Sequence, residues 1–185
     1  MGQYYRPCSL EKMESVYSHN YDNGLKLMEH SYIGNDFVAV VESLIKKGGK
    51  WFGDRIVWAG DYADNEPESE NNLYSMVRDN TIEPVVSKPK KKLNFLKNLD
   101  TGEFVDLQKV PVTNEGDWID RETGKKHHYV MRIHPLPLLT CEGNGRGGGD
   151  YHKEHKLVGK WARNRVVMQS HRPRNGKEII FDLVE

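Results

Sequence analysis

A chain of 185 residues is long enough to bury one real core, and 27 basic against 27 acidic side chains leave no net field to draw it to nucleic acid or an anionic membrane. No apolar run approaches the roughly eighteen residues that cross a bilayer, which excludes a membrane-spanning helix. Cys8 and Cys141 lack CxxC spacing, so a zinc ribbon or redox pair is not indicated; two cysteines and no cleavable apolar leader to be read set the expectation of a reducing cytosol.

The expected fold is a single α+β domain over 1–185, a mainly antiparallel β-sheet with one amphipathic helix packed on it. Residues 2–10 read as an N-terminal strand, and 13–17 and 24–32 as two more, joined through Tyr21-Asp22-Asn23-Gly24. Asn35 or Asp36 caps a helix reaching about residue 47, with Phe37, Val38, Val41, Leu44 and Ile45 at helical spacing and Gly48-Gly49 ending it. Residues 51–59 are β-prone, 65–72 are acidic and exposed, and 73–77 suit a short helix. The run 83–92, with two prolines and four lysines, reads as a mobile excursion. Residues 94–107 read as a hairpin around Asp100-Thr101-Gly102, and 114–127 as a second polar excursion. A strand over 129–133 is stopped by Pro135 and Pro137, and 161–168 and 178–184 close the sheet. The run 50–57 echoes 160–167, each opening Lys-Trp and closing Arg, apolar, Val; eight residues point to two similar strand entries before a duplication.

The strongest functional signal is five glycines within 143–149, flanked by apolar segments. Such a loop can turn several N–H groups toward one anion, with Arg146 as counter-charge, or be a plain surface turn closed by Asp150. The candidate ligand site is therefore Gly143, Asn144, Gly145, Arg146, Gly147, Gly148, Gly149 and Asp150. His134 is a further donor, and Tyr4, Tyr5, Trp58, Tyr62 and Trp161 are aromatic platforms on which a base stacks. The loop formally matches GxGxxG, but prolines interrupt the strand that a dinucleotide fold needs, and no Walker lysine follows. Eight histidines raise a metal site, yet HExxH is absent and His152 and His155 stand among lysines, so neither metal nor cofactor is expected. For acid–base chemistry the parts are Glu29, His30, Asp61 and His134, without a nucleophile elbow to arrange them.

Runs at 1–5, 24–32, 58–63, 133–151 and 158–162 together resemble a family of small proteins encoded in phage and prophage genomes. The glycine-loop run is the most specific of them. This chain departs where an Asp is expected near Asn164, which weakens an acidic role there. The resemblance implies a phage-linked protein acting in a bacterial cytoplasm and brings no activity with it. Three functions follow as expectations: capture of a small anionic, nucleotide-derived host immune signal; an enzyme acting on such a ligand; or a protein-directed inhibitor of a host defence complex. Aromatic strand edges are compatible with a homo-oligomer.

Overall fold

A computed structural model describes residues 3–85, 92–143 and 155–183. Strands β1 (Tyr5–Ser9) and β2 (Glu14–Ser15) form the first hairpin, followed by helices α1 (Leu27–His30) and α2 (Asp36–Ile45), strand β3 (Arg55–Gly60) and helix α3 (Leu73–Met76). A second hairpin, β4 (Phe95–Asn98) with β5 (Glu103–Asp106), precedes a two-stranded ribbon of β6 (Asn114–Ile119) and β7 (Lys126–Met131). Helix α4 (Pro135–Thr140), β8 (Cys141–Glu142), β9 (Asn164–Gln169) and β10 (Lys177–Glu178) complete the described elements. The main sheet runs β10-β5-β4-β9-β3-β1-β2, with β8 also on β3; only the β10–β5 and β3–β8 pairs are parallel. The α+β fold, a mostly antiparallel sheet with one long helix, is thus as expected.

Both faces of the centre are covered, which explains why β3 is buried continuously from Ile56 to Gly60. Ile56 and Trp58 join the larger core with Phe37, Val40, Val41, Leu44 and Ile45 of α2. Val57 and Ala59 join a smaller cluster with Cys8, Leu73 and Val77 on the other face. Cys141 belongs to the larger core and Cys8 to the smaller one, so the two thiols face opposite sides of the sheet. Helix α2 starts where Asn35 Oδ1 accepts the Val38 N–H at 3.1 Å, a direct cap, and each buried aliphatic on its inner face contributes about 1.5–3 kcal/mol.

The main sheet is a two-fold repeat. Two residue pairs, Arg55↔Arg165 and Ile56↔Asn164, join β3 to β9, and the strands on either side mirror each other. Cys8 pairs with Val57 and Ser15 in the first half, as Lys97 pairs with Val167 and Phe104 in the second. Lys50 Nζ and Trp51 Nε1 donate to the two oxygens of Glu14 at 2.5 and 3.2 Å; Lys160 and Trp161 donate to Glu103 at 2.6 and 2.9 Å. Burial raises both carboxyl pKa values, but those hydrogen bonds outweigh it and hold both below the ordinary range. Arg55 grips Glu11 through its Nε and backbone N–H, and Arg165 grips Asp100 in the same way. The Trp51 N–H reaches Leu44 O at 2.9 Å, and the Trp161 N–H reaches Leu139 O at 2.6 Å. The echo of 50–57 in 160–167 is therefore the legible part of a structural repeat, not merely two alike strand entries. The halves differ in what they add: seven positions separate Leu44 from Trp51, and twenty-two separate Leu139 from Trp161, a gap that holds the glycine run.

Several local expectations are corrected. Residues 24–32 are not a strand: Leu27–His30 form a helical turn, whose Lys26 N–H is taken by Glu29 Oε2 at 2.9 Å. The polar 114–127 stretch is instead mostly an ordered ribbon, Asn114↔Met131 through Ile119↔Lys126. Pro135 does not end structure but opens α4, where its missing N–H is no loss. Trp161 to Arg163 form a turn before β9, and among the described residues of 178–184 only Glu178 lies in a strand, the end of β10. Residues 86–91 of the proline–lysine run lie outside the described residues.

Gly49 follows α2 so closely that a Cβ there would sit 2.1 Å from Leu44 O and 2.4 Å from Ser43 O. Backbone atoms cannot yield as a side chain does, so Gly49→Ala should destabilise the fold by about 1–3 kcal/mol. Calorimetry should then show a melting temperature lower by roughly 2–10 °C; an unchanged value would mean the helix does not end as described.

Candidate functional site

The described residues at the mouth of the glycine loop are tightly fitted and acidic. Gly143 lies against Gly60, Gln3 and Tyr5: a Cβ on Gly143 would come within 2.0 Å of Gln3 Oε1 and 2.8 Å of the Tyr5 hydroxyl. Tyr5 OH donates to Gln3 Oε1 beneath it. Arg163 clasps this mouth, its Nε and Nη2 donating to Glu142 at 2.7 and 2.6 Å and its two terminal nitrogens to Glu66. Hydrogen bonding from Arg163 holds the Glu66 carboxyl below its usual range. Arg163 does this from φ 65°, in the left-handed region where the first half has Gly53 at φ 83°. Asn144, Gly145, Arg146, Gly147, Gly148, Gly149 and Asp150 lie outside the described residues.

The aromatic platforms separate into two groups. Trp58, Trp161 and Tyr5 are core side chains with at most 1% of their surface exposed, so none of the three presents a ring face at the surface. Tyr4 and Tyr62 are exposed beside Asp61, whose Oδ1 accepts the Tyr4 N–H at 2.9 Å. These lie next to Gly60, at the loop mouth, while Glu29 is an exposed capping residue of α1.

His30 is fully buried, and both ring nitrogens are engaged. Nδ1 lies 3.0 Å from Gly24 O, and Nε2 accepts the Trp58 indole N–H at 3.0 Å, so the proton sits on Nδ1. Phe37 meets the ring edge-on at 5.1 Å. This histidine joins α1, α2 and β3. Burial pushes its pKa down to about 4.

His134 is buried as well, capping α4 with Nδ1, which accepts the Leu136 N–H at 3.1 Å. Its Nε2 faces Glu42 Oε1 of α2 at 3.0 Å. Both line a cleft of about 500 Å³, to which α2 and its approach contribute Asn35, Val38 and Glu42 and the second half contributes Lys92, Asn94, Gln108 and Arg132. Glu42 is the sole carboxylate among the lining residues, and Lys92 and Arg132 make no ion pair among the described residues. Asn94 Oδ1 is buried with no hydrogen-bond partner among the described residues. Sequence reasoning singled out His134 but missed the other cleft residues. Lys92 was visible only as the end of a lysine run, and Asn94, Gln108 and Arg132 carry no local signal.

No protein-family model, no curated protein and no solved structure matches this chain.

A neutral, buried His30 gives a pH-dependent stability. The unfolded ring titrates near 6.5 and binds a proton that the folded ring refuses until about pH 4. Stability from this group is therefore complete above pH 6.5 and is lost as pH falls toward 4, by roughly 3 kcal/mol. Urea denaturation across that range should give His30→Gln a shallower slope than the parent by about one proton. Equal slopes would show that His30 is not held neutral.

Proposed function

We propose that this chain is a phage-linked cytoplasmic binding protein that captures a small anionic, nucleotide-derived ligand in the cleft between α2 and the second half. The observation that carries this reading is the pair of cations, Lys92 and Arg132, facing a cleft whose one carboxylate is engaged by His134. Phosphate or carboxylate answers those two side chains. A volume of about 500 Å³ suits a mononucleotide-sized guest. The phage resemblance favours a host immune signal as that guest, which makes the role one of sequestration.

Capture is favoured over turnover because both ring nitrogens of His134 are engaged, Nε2 by Glu42 and Nδ1 by the Leu136 amide, so the imidazole has none left to exchange a proton with a guest. At the glycine-loop mouth the described charges are Asp61, Glu66 and Glu142 against Arg163, so any pull on an anion there falls to Arg146 and its neighbours.

Calorimetric titration with ADP-ribose and with cyclic nucleotides tests the site. Arg132→Ala should weaken binding at least about tenfold, or 1.4 kcal/mol, with the melting temperature unchanged, while Arg146→Ala binds as the parent does. The reverse pattern would move the site to the glycine loop and overturn the cleft. Ligand recovered intact after boiling supports capture, and altered ligand means an enzyme. Should no probe bind, the protein-directed inhibitor becomes the better reading.

A further inference from the structure

The β6–β7 ribbon has no counterpart in the first half and is not part of the main sheet. Twenty-nine positions separate Phe104 from Ile133, and the ribbon from Asn114 to Met131 takes up eighteen of them. Ten of its twelve strand residues are exposed, all but Gly116 within β6 and Met131 at the end of β7; Trp118 is 50% exposed, Ile119 65%, Tyr129 40% and Val130 49%. An isolated two-stranded hairpin is marginal in water. This one nevertheless carries large apolar side chains in solvent.

Its two faces differ sharply in chemistry. The register puts Glu115, Asp117, Ile119, Lys126, His128 and Val130 on one side, where Asp117 accepts from Lys126 at 2.7 Å and meets His128 at 2.9 Å. The opposite side holds Asn114, Gly116, Trp118, His127, Tyr129 and Met131, with no carboxylate, lysine or arginine among them. Trp118 and His127 stack there at 4.6 Å and 17°. The Tyr129 ring lies over Gly116, where a Cβ would be 3.0 Å from its hydroxyl. An aromatic face is thus pre-ordered and turned outward.

We infer that this uncharged face pairs with the same face of a second copy of the chain about a two-fold axis. An uncharged surface offers no counter-charge to nucleic acid, an anionic membrane or a charged peptide. Packed against itself, it desolvates no ion and brings no like charges together, and an isologous contact needs only one self-complementary patch. The area sets the strength. Half-exposed aromatic side chains of about 150–250 Å² each give a few hundred Å² per copy, below the ~800 Å² per partner of a stable interface. The dimer is therefore weak and concentration-dependent.

Sedimentation velocity of the full chain from about 5 to 500 µM covers the range in which a weak association shows. The parent should shift from monomer to dimer, unaffected by added salt because no charges meet. Trp118→Glu and, separately, Tyr129→Ser should stay monomeric, with the parent's melting temperature since the ribbon lies outside the core. Ile119→Glu, on the charged face, should associate as the parent does. A parent that remains monomeric throughout, Trp118 and Tyr129 variants that still dimerise, or loss of the dimer in the Ile119 variant would each overturn the inference.

Discussion

The rest of the structure depends on the antiparallel seam between β3 and β9, where Arg55↔Arg165 and Ile56↔Asn164 are the paired residues. Each side of that seam brings its own hairpin, β1–β2 or β4–β5, in the same register. Each side also fixes the turn before its central strand by the same device, a Lys–Trp pair holding one glutamate. Two three-stranded units become one sheet, whose centre is covered on both faces. That is how a chain with 37% hydrophobic residues still buries three of its tryptophans completely.

The seam also positions the cleft. One wall comes from the helix of the first half, the other from the segments that flank the hairpin of the second, and His134–Glu42 ties the walls together. Sites at such junctions gather side chains distant in sequence without burying them in either core. The additions belong to the second half: the ribbon, and the long connection between Leu139 and Trp161 that contains the glycine run. Insertions peculiar to one repeat commonly sit on a binding face. Arg163 fits that pattern, since a non-glycine residue is kept at φ 65° while its side chain clasps Glu142 at the start of that connection.

How far the sequence could be read follows from where its patterns are local. Helix α2 was legible because its apolar spacing, Asn35 cap and terminal glycines all agree. The β4–β5 hairpin was legible from its turn, Asp100-Thr101-Gly102. The repeat was not, because equivalent positions share a register rather than residue types: Cys8 corresponds to Lys97, and only the Lys–Trp turn keeps its identity. The strand expected at 24–32 rested on alternation, which His30 broke by turning inward to Trp58. Aromatic type alone could not tell exposed Tyr4 and Tyr62 from the core rings of Tyr5, Trp58 and Trp161. Polar composition likewise concealed a ribbon whose strands need no core contact to keep their register.

The most direct measurement is a residue-resolved NMR titration of the protein with ADP-ribose, followed through backbone and arginine side-chain signals. Capture in the cleft predicts that the perturbed signals gather at Asn35, Val38 and Glu42 on one wall and at Asn94, Gln108 and Arg132 on the other. Saturable perturbations confined to 144–150, with those walls silent, would contradict it.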